Sequence, residues 1–418
     1  MSLKNAIYAQ SGGVTAVINV SACAVIQTAK LYPDHIGTVY AAKNGILGAL
    51  NEELIDTYQE AEKDIAKLMQ TPSGAFGSCR YKLKQDGQAY ERLIEVFKAH
   101  NIGYFFYNGG GDSQDTAYKV SQLGERMGYP ITCIGIPKTV DNDLPFTDTC
   151  PGFGSVAKYI AVSTKEAGFD VASMAATSTK VFILEVMGRH AGWIAAASGL
   201  AKQHPSDPPH IILFPEVPFD KRQFLEKVSE CVRTFGYCVT VVSEGIRNQE
   251  GHFLSEAGLR DAFGHAQLGG VAPVLAQLIK DELGYKYHWA VADYLQRAAR
   301  HIASQVDVDQ AYALGKAAVE FAVQGHNAIM PIIIREQDEP YQWSIGKISL
   351  AEVANQEKAM PKEFISQDGL SITAACVRYL APLIQGEAYP TYVNGLPEYI
   401  RLKNHCVDKK LSTWSSST

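Results

Sequence analysis

The segment Pro137-Lys138-Thr139-Val140-Asp141-Asn142-Asp143-Leu144-Pro145 places an amine, a hydroxyl and two carboxylates directly after an apolar run. These groups suit phosphate neutralisation, orientation of a substrate, general-base catalysis and metal ligation. An Asx-rich turn ahead of a proline would use similar residues, but four chemistries so close together favour a functional loop. Gln10-Ser11-Gly12-Gly13-Val14-Thr15 would let the backbone N–H groups of Gly12 and Gly13 approach an anion at the start of a helix. An ordinary strand-to-helix turn would use the same glycines. Asn108-Gly109-Gly110-Gly111-Asp112-Ser113 removes side chains from three consecutive positions and sets the Asp112 carboxylate at a helix N-terminus, as a functional group or as a plain cap. No GxxxxGK[ST] and no GxGxxG pattern is present.

Arginine offers a planar fork suited to phosphate, although a single one is more often a solvated surface residue. Arg80 in Ser78-Cys79-Arg80-Tyr81-Lys82-Leu83-Lys84, Arg189 in Met187-Gly188-Arg189-His190-Ala191-Gly192 and Arg297 in Tyr294-Leu295-Gln296-Arg297 each stand at an element boundary. Glu244, in Val242-Ser243-Glu244-Gly245, could accept hydrogen bonds from sugar hydroxyls or be a surface acid. His190 reads as a helix-start or packing residue and is given no role.

Positioning these loops falls to short apolar strands alternating with segments of helical period. Strands are expected near 6–9, Thr38–Ala42, Tyr104–Tyr107 and Ile131–Ile136, with helices over Ala16–Ala29 and Gln114–Met127. A second set follows Pro151: helix Val156–Glu166, strand Val181–Val186, a helix from Ala191, strand Ile211–Phe214, helix Lys221–Arg233 and strand Tyr237–Val242. A long helix Ala266–Leu283, a helix Val308–Val323 and a strand Ala328–Ile334 complete the pattern. Such alternation predicts an α/β fold of two Rossmann-like three-layer lobes with mostly parallel sheets, and a ligand cleft between them. One lobe should comprise 1–149 plus about 297–340, the other 150–296 plus about 341–418, with LSTWSSST a loose tail.

The 418 residues carry 38 Lys plus Arg against 44 Asp plus Glu, a net charge of −6, which argues against a nucleic-acid coating protein. No stretch approaches the ~20 apolar residues of a membrane span, and the N-terminus lacks a basic segment followed by an apolar run, so a cytoplasmic location is expected. Eight scattered cysteines without a CxxC pair read as buried small hydrophobes.

Taken in chain order, Gln10-Ser11-Gly12-Gly13, Gly77-Ser78-Cys79-Arg80, Gly109 to Ser113, Pro137 to Asp143, Met187-Gly188-Arg189, Glu244-Gly245 and Tyr294 to Arg297 resemble the phosphofructokinase family, most closely its pyrophosphate-dependent branch. The likeness runs from residue 6 to about 335 and weakens over roughly the last 80 residues. It implies reversible phosphoryl transfer to the 1-hydroxyl of fructose 6-phosphate, in glycolysis or gluconeogenesis, with Asp141 as base and Thr139 positioning the hydroxyl. By the same carry-over Met187, Gly188, Arg189, Glu244, Tyr294 and Arg297 hold the sugar phosphate, and Gly12, Gly13 and Arg80 face the donor phosphates.

ATP-using members of that family have glycine where this chain has Asp112 and Lys138. A carboxylate at 112 would repel a nucleotide and Lys138 would neutralise phosphate, so the resemblance implies inorganic pyrophosphate as donor. Related pyrophosphate enzymes carry an Asp for magnesium where this chain has Gly111, leaving Asp112 and Asp143 as the expected Mg2+ ligands. The family's cross-subunit arginines fall at Lys180 and near His288, where Lys286 is the nearest cation. A homodimer is the implied assembly. Rival readings are an ATP-dependent enzyme and a non-catalytic sugar-phosphate-binding subunit.

Overall fold

The computed structural model describes residues 3–83, 88–260, 266–268, 270–354 and 356–414. The first lobe is built on β1 (Lys4–Gln10), β2 (Ile36–Ala42), β3 (Leu54–Asp56), β4 (Ile102–Gly109) and β5 (Thr132–Pro137). The second carries β6 (Val181–Val186), β7 (Ile211–Leu213), β8 (Cys238–Ser243), the antiparallel pair β9 (Glu256–Arg260) and β10 (Ala266–Leu268), and β11 (Tyr287–Val291). The chain then returns with β12 (Ile329–Gln337) and β13 (Gln342–Ser349), giving a seven-stranded sheet ordered β13-β12-β5-β4-β1-β2-β3 beside a four-stranded one ordered β11-β6-β8-β7. The inner pairings are parallel; β2 with β3 and β12 with β13 are antiparallel.

The inner strands read as apolar runs because both faces of the sheet are covered there, whereas the edge strands β11 and β13 are half-buried or exposed along their length. On β1, Ile7 and Ala9 join one core with Phe105 and Tyr107 of β4, while Ala6 and Tyr8 join another with Phe106. In the second sheet Leu184 and Val186 point to one core, Val181 and Ile183 to the other. The expected fold class, two α/β lobes with mostly parallel sheets, is what this chain forms.

Several element boundaries differ from the sequence reading. Residues 266–268 are a strand, and the helix begins only at Val271 after Gly270, whose φ of 91° ends the preceding backbone course. The helix expected at Gln114–Met127 spans Gly111–Arg126, so Asp112 lies in its first turn; the N-cap is Gly110, and no side chain caps it. Cys79 is half-buried and Cys406 exposed, whereas the other six cysteines are buried as expected.

The division of the C-terminal residues also differs. β13 pairs along its length with β12, so 342–349 belong to the first sheet. Met360, Cys376, Leu380 and Leu383 do pack in the second lobe, but Ile400, Leu402, Val407, Leu411 and Trp414 return to the first. The described part of the expected loose tail is therefore anchored: buried Glu52 accepts from Lys410 N at 2.8 Å and Leu411 N at 3.0 Å, and Arg92 donates to the Ser412 carbonyl at 2.9 Å. Helix Gln305–Val323 links the lobes, since Asp307 accepts from the N–H groups of Gly152 (2.9 Å) and Ser155 (3.0 Å) where helix Phe153–Met174 begins. Among the described residues no helix is long and apolar enough to cross a membrane.

Candidate active site

Strand register brings the loops of the first lobe to one edge. Gln10 is opposite Asn108 and Gly109 opposite Pro137, so the chains leaving β1, β4 and β5 emerge side by side at the carboxyl ends of parallel strands. A short parallel bridge between Ser11 and Cys79 adds the Arg80 segment, fixed by Gly12 N to Cys79 O at 2.9 Å and Ser78 Oγ to Gly12 O at 2.8 Å. Gly12 has φ 73°, a left-handed conformation that other residues adopt at a cost. From the second lobe, Val186 is opposite Ser243 and Glu185 opposite Val291, so Met187–Arg189, Glu244 and the helix Asp293–Ala298 leave from a matching edge. Gly245 is forced: a Cβ there would come within 2.1 Å of the Arg189 carbonyl.

Between the two edges lies a cleft of about 670 Å³. From the first lobe it is lined by Gly12, Gly13, Arg80, Gly111, Asp112, Lys138, Thr139, Asp141 and Asp143. From the second lobe come Met187, Arg189, Glu244, Tyr294 and Arg297. Of the residues singled out in the sequence for the two substrates, Gly188 is the one that does not line it; its carbonyl instead accepts a hydrogen bond from Ser243 Oγ, holding the Arg189 loop against the Glu244 loop.

At the donor end, the buried Lys138 reaches under the first glycine loop and donates to the Gly13 carbonyl at 2.6 Å. Burial, and then the Arg297 guanidinium, push its amine down to about 8. Arg297 approaches the same loop, its guanidinium stacked 3.8 Å from the Tyr294 ring centroid, and a Cβ on Gly13 would come within 2.6 Å of it. The Asp112 carboxylate accepts from Lys82 Nζ at 2.8 Å.

In the middle of the cleft, Thr139 Oγ1 accepts from the Asp141 amide at 3.1 Å and also hydrogen-bonds the Asp143 carboxylate. Burial raises the Asp141 carboxyl to about 7, with the negative charges of Asp143 and Glu244 adding to it and Lys138 and Arg189 opposing it. Burial likewise raises Asp143 and Glu244. The result is a carboxylate cluster beside cations, the environment of a group meant to exchange a proton near neutrality.

Among the described residues, no group of three or more His, Cys, Asp or Glu side chains is arranged to hold a metal ion. Asp112 and Asp143 nevertheless share the cleft, and a Cβ on Gly111 would meet nothing within 4 Å. That donor set fits a magnesium ion carried on phosphate oxygens and water with one carboxylate added; it does not fit one caged by the protein.

Residues without an assigned role in the sequence also line the cleft: Lys82, Glu185, His190, Asp293 and Glu357. Lys82, two positions after Arg80, was visible as part of a basic run. Glu185 was hidden inside an apolar strand, and it accepts from Gly270 N (3.0 Å) and Ala272 N (2.8 Å) at a helix N-terminus. His190 Nδ1 lies 3.2 Å from Glu357 Oε2, a partner 167 positions away that no local signal announces. Lys180 and Lys286 do not line the cleft of this chain; they sit beside each other at the start of β6 and β11, where Lys180 N donates to Lys286 O at 2.9 Å and Lys286 Nζ to Ser178 Oγ at 3.1 Å.

Two α/β lobes whose strand ends face each other across a cleft of cations and raised carboxyls define an enzyme class that binds anions and transfers a group between them. More narrowly, the chain belongs to the phosphofructokinase family, whose sequence pattern it matches over residues 5–322. It is 68% identical over 415 residues to the pyrophosphate--fructose 6-phosphate 1-phosphotransferase of Methylococcus capsulatus, covering 99% of both chains. It is 64% identical over 414 residues to the protein of that name from Halomonas elongata, covering 98% of this chain and 99% of the other. The crystal structure of a pyrophosphate-dependent phosphofructokinase from Marinobacter aquaeolei, 64% identical, superposes with a TM-score of 0.92 over 99% of this chain and all of that one.

Proposed function

We propose that this chain transfers a phosphoryl group reversibly from inorganic pyrophosphate to the 1-hydroxyl of fructose 6-phosphate, giving fructose 1,6-bisphosphate. The observation that carries the choice of donor is that one cleft holds both a carboxylate at Asp112, after the Gly109–Gly111 loop, and a buried amine at Lys138, under the Gly12–Gly13 loop. A fixed carboxylate there opposes the extra phosphate and nucleoside of ATP by charge and bulk, whereas the amine attracts a small, highly charged anion. Relatives bearing that activity's name cover the whole chain at high identity.

In this reading the fructose 1-hydroxyl gives its proton to Asp141 as the oxygen attacks the near phosphorus, with Thr139 orienting the hydroxyl and the base. The bond from that phosphorus to its bridging oxygen breaks, and orthophosphate leaves. Lys138, Arg80 and Arg297 offset the charge on the donor, and Arg189, Glu244, Met187 and Tyr294 hold the sugar phosphate. Phosphoryl transfer asks a protein mainly for alignment and charge balance, and these side chains provide both. Magnesium, when bound, supplies further neutralisation of the phosphate oxygens, with Asp112 or Asp143 as its protein ligand.

A homodimer and a cytoplasmic location complete the reading. The edge strand β11 and the helix after it expose Trp289, Val291, Tyr294 and Leu295, an apolar row beside Lys180 and Lys286 that suits a second copy. The deciding assay offers purified protein fructose 6-phosphate and magnesium, with pyrophosphate or ATP as the sole donor. Turnover is expected with pyrophosphate. Turnover confined to ATP overturns the donor, and none with either supports the binding subunit.

A further inference from the structure

Residues 356–360 lie beyond the stretch matched to the family, yet they close over the loop that carries Asp141 and Asp143. The Lys358 backbone N–H donates to the Asp143 carbonyl at 2.6 Å. Its ammonium donates to the carbonyls of Thr147 at 3.0 Å and Asp148 at 2.9 Å and to Asn142 Oδ1 at 3.3 Å. Three donors meet three acceptors, so the group's hydrogen-bonding capacity is used up on this one loop.

The same residue reaches the other lobe. Trp193 Nε1 donates to the Lys358 carbonyl at 3.3 Å, and the ammonium stands 5.4 Å from the Trp193 ring centroid. Trp193 begins the helix that follows the Met187–Gly192 loop. Asn142, between the two carboxylates, has φ 54°, a left-handed conformation that Asn takes more readily than most side-chain-bearing residues. Its side-chain amide is tied to the Tyr379 hydroxyl (2.9 Å) and the Cys150 N–H (3.0 Å), so Lys358 joins a network that already runs through this position. Lys358 is absent from the cleft lining, so it does not touch either substrate; it acts on the cleft through the Asp141–Asp143 loop that it holds and through the neighbouring Glu357, which does line it.

We propose that Lys358 is a positioning residue for phosphoryl transfer, fixing the Asp141–Asp143 loop against the Arg189 loop without touching either substrate. The inference rests on the activity proposed above. It also assigns work to a C-terminal segment for which the family likeness gives none.

The test compares wild type, Lys358→Met and Lys358→Arg by steady-state kinetics in pyrophosphate and fructose 6-phosphate. A displacement of about 1 Å at the reacting groups costs on the order of 10²-fold, so Lys358→Met should lower kcat by that order while both KM values stay within about threefold. Lys358→Arg, which keeps a multidentate cation, should recover most of kcat. If Lys358→Met does not fold, Lys358→Gln takes its place. A neutral variant with unchanged kcat, or an Arg variant no better than the neutral one, overturns the inference. Absence of turnover in the wild type instead overturns the proposed function, so the two failures are distinguishable.

Discussion

Asp141 and Lys138 owe their chemistry to one cause acting with opposite sign. Burial disfavours charge, so it raises the carboxyl to about 7 and lowers the amine to about 8, leaving both able to exchange protons near neutral pH. Asp141→Asn keeps the shape and removes the base; kcat should fall by ~10²–10⁴ with the KM for fructose 6-phosphate retained. A variant at near-full rate would move the base elsewhere. In the proposed function, donor choice also rests on single residues. Asp112→Gly together with Lys138→Gly should raise kcat/KM with ATP and lower it with pyrophosphate, and an unchanged ratio refutes the charge argument. Lys138, Thr139, Asp141 and Asp143 were legible because their chemical types crowd six consecutive positions. Glu357 and Lys358 were not, because neither they nor their neighbours carry a pattern; their meaning comes from what folds onto them.

Elements were legible where period and length agreed. β6 begins and ends where its apolar run does, and the strands that end in glycine loops align those loops through their register. The helix expected from Ala266 failed because apolar residues in a short strand and in the helix after it cannot be separated by composition; Gly270 marks the break. His210 illustrates an element held by a side chain. It precedes β7, its amide donates to Val239 O at 2.8 Å, and its ring Nδ1 accepts from Val239 N at 3.0 Å. Burial lowers this imidazole from 6.5 to about 4, with Lys202 adding to the effect. The unfolded chain therefore takes up the proton first. The stability due to the neutral ring is complete above pH 6.5 and declines as pH falls toward 4, by on the order of 3 kcal/mol. Urea unfolding between pH 7 and 4.5 should show this slope, flattened in His210→Asn, which keeps an acceptor that does not titrate. Equal slopes would discount the histidine.

At the scale of the whole molecule, the second lobe presents an edge strand with Trp289 and Val291 exposed, followed by Tyr294 and Leu295. Sedimentation is expected to give twice the chain mass, and Trp289→Asp with Leu295→Asp to give a single chain. A monomeric wild type at micromolar concentration would contradict the proposed dimer. The C-terminal region binds the lobes to each other: 356–384 serve the second lobe and the Asp141–Asp143 loop, Ala388 packs beside Ala16 and Val17, and 396–414 return to the first lobe, where Glu52 receives the amides of Lys410 and Leu411.

The sequence by itself determined the α/β alternation, the family and those cleft-lining residues that stand in glycine-bearing or chemically crowded loops, because these are local properties of period and chemistry. Tertiary structure alone decided which distant groups share the cleft, how burial retunes Asp141 and Lys138, and that the C-terminal segment reaches the Asp141–Asp143 loop. Those depend on contacts across more than a hundred residues, and a contact of that kind leaves no trace in the order of side chains on either side of it.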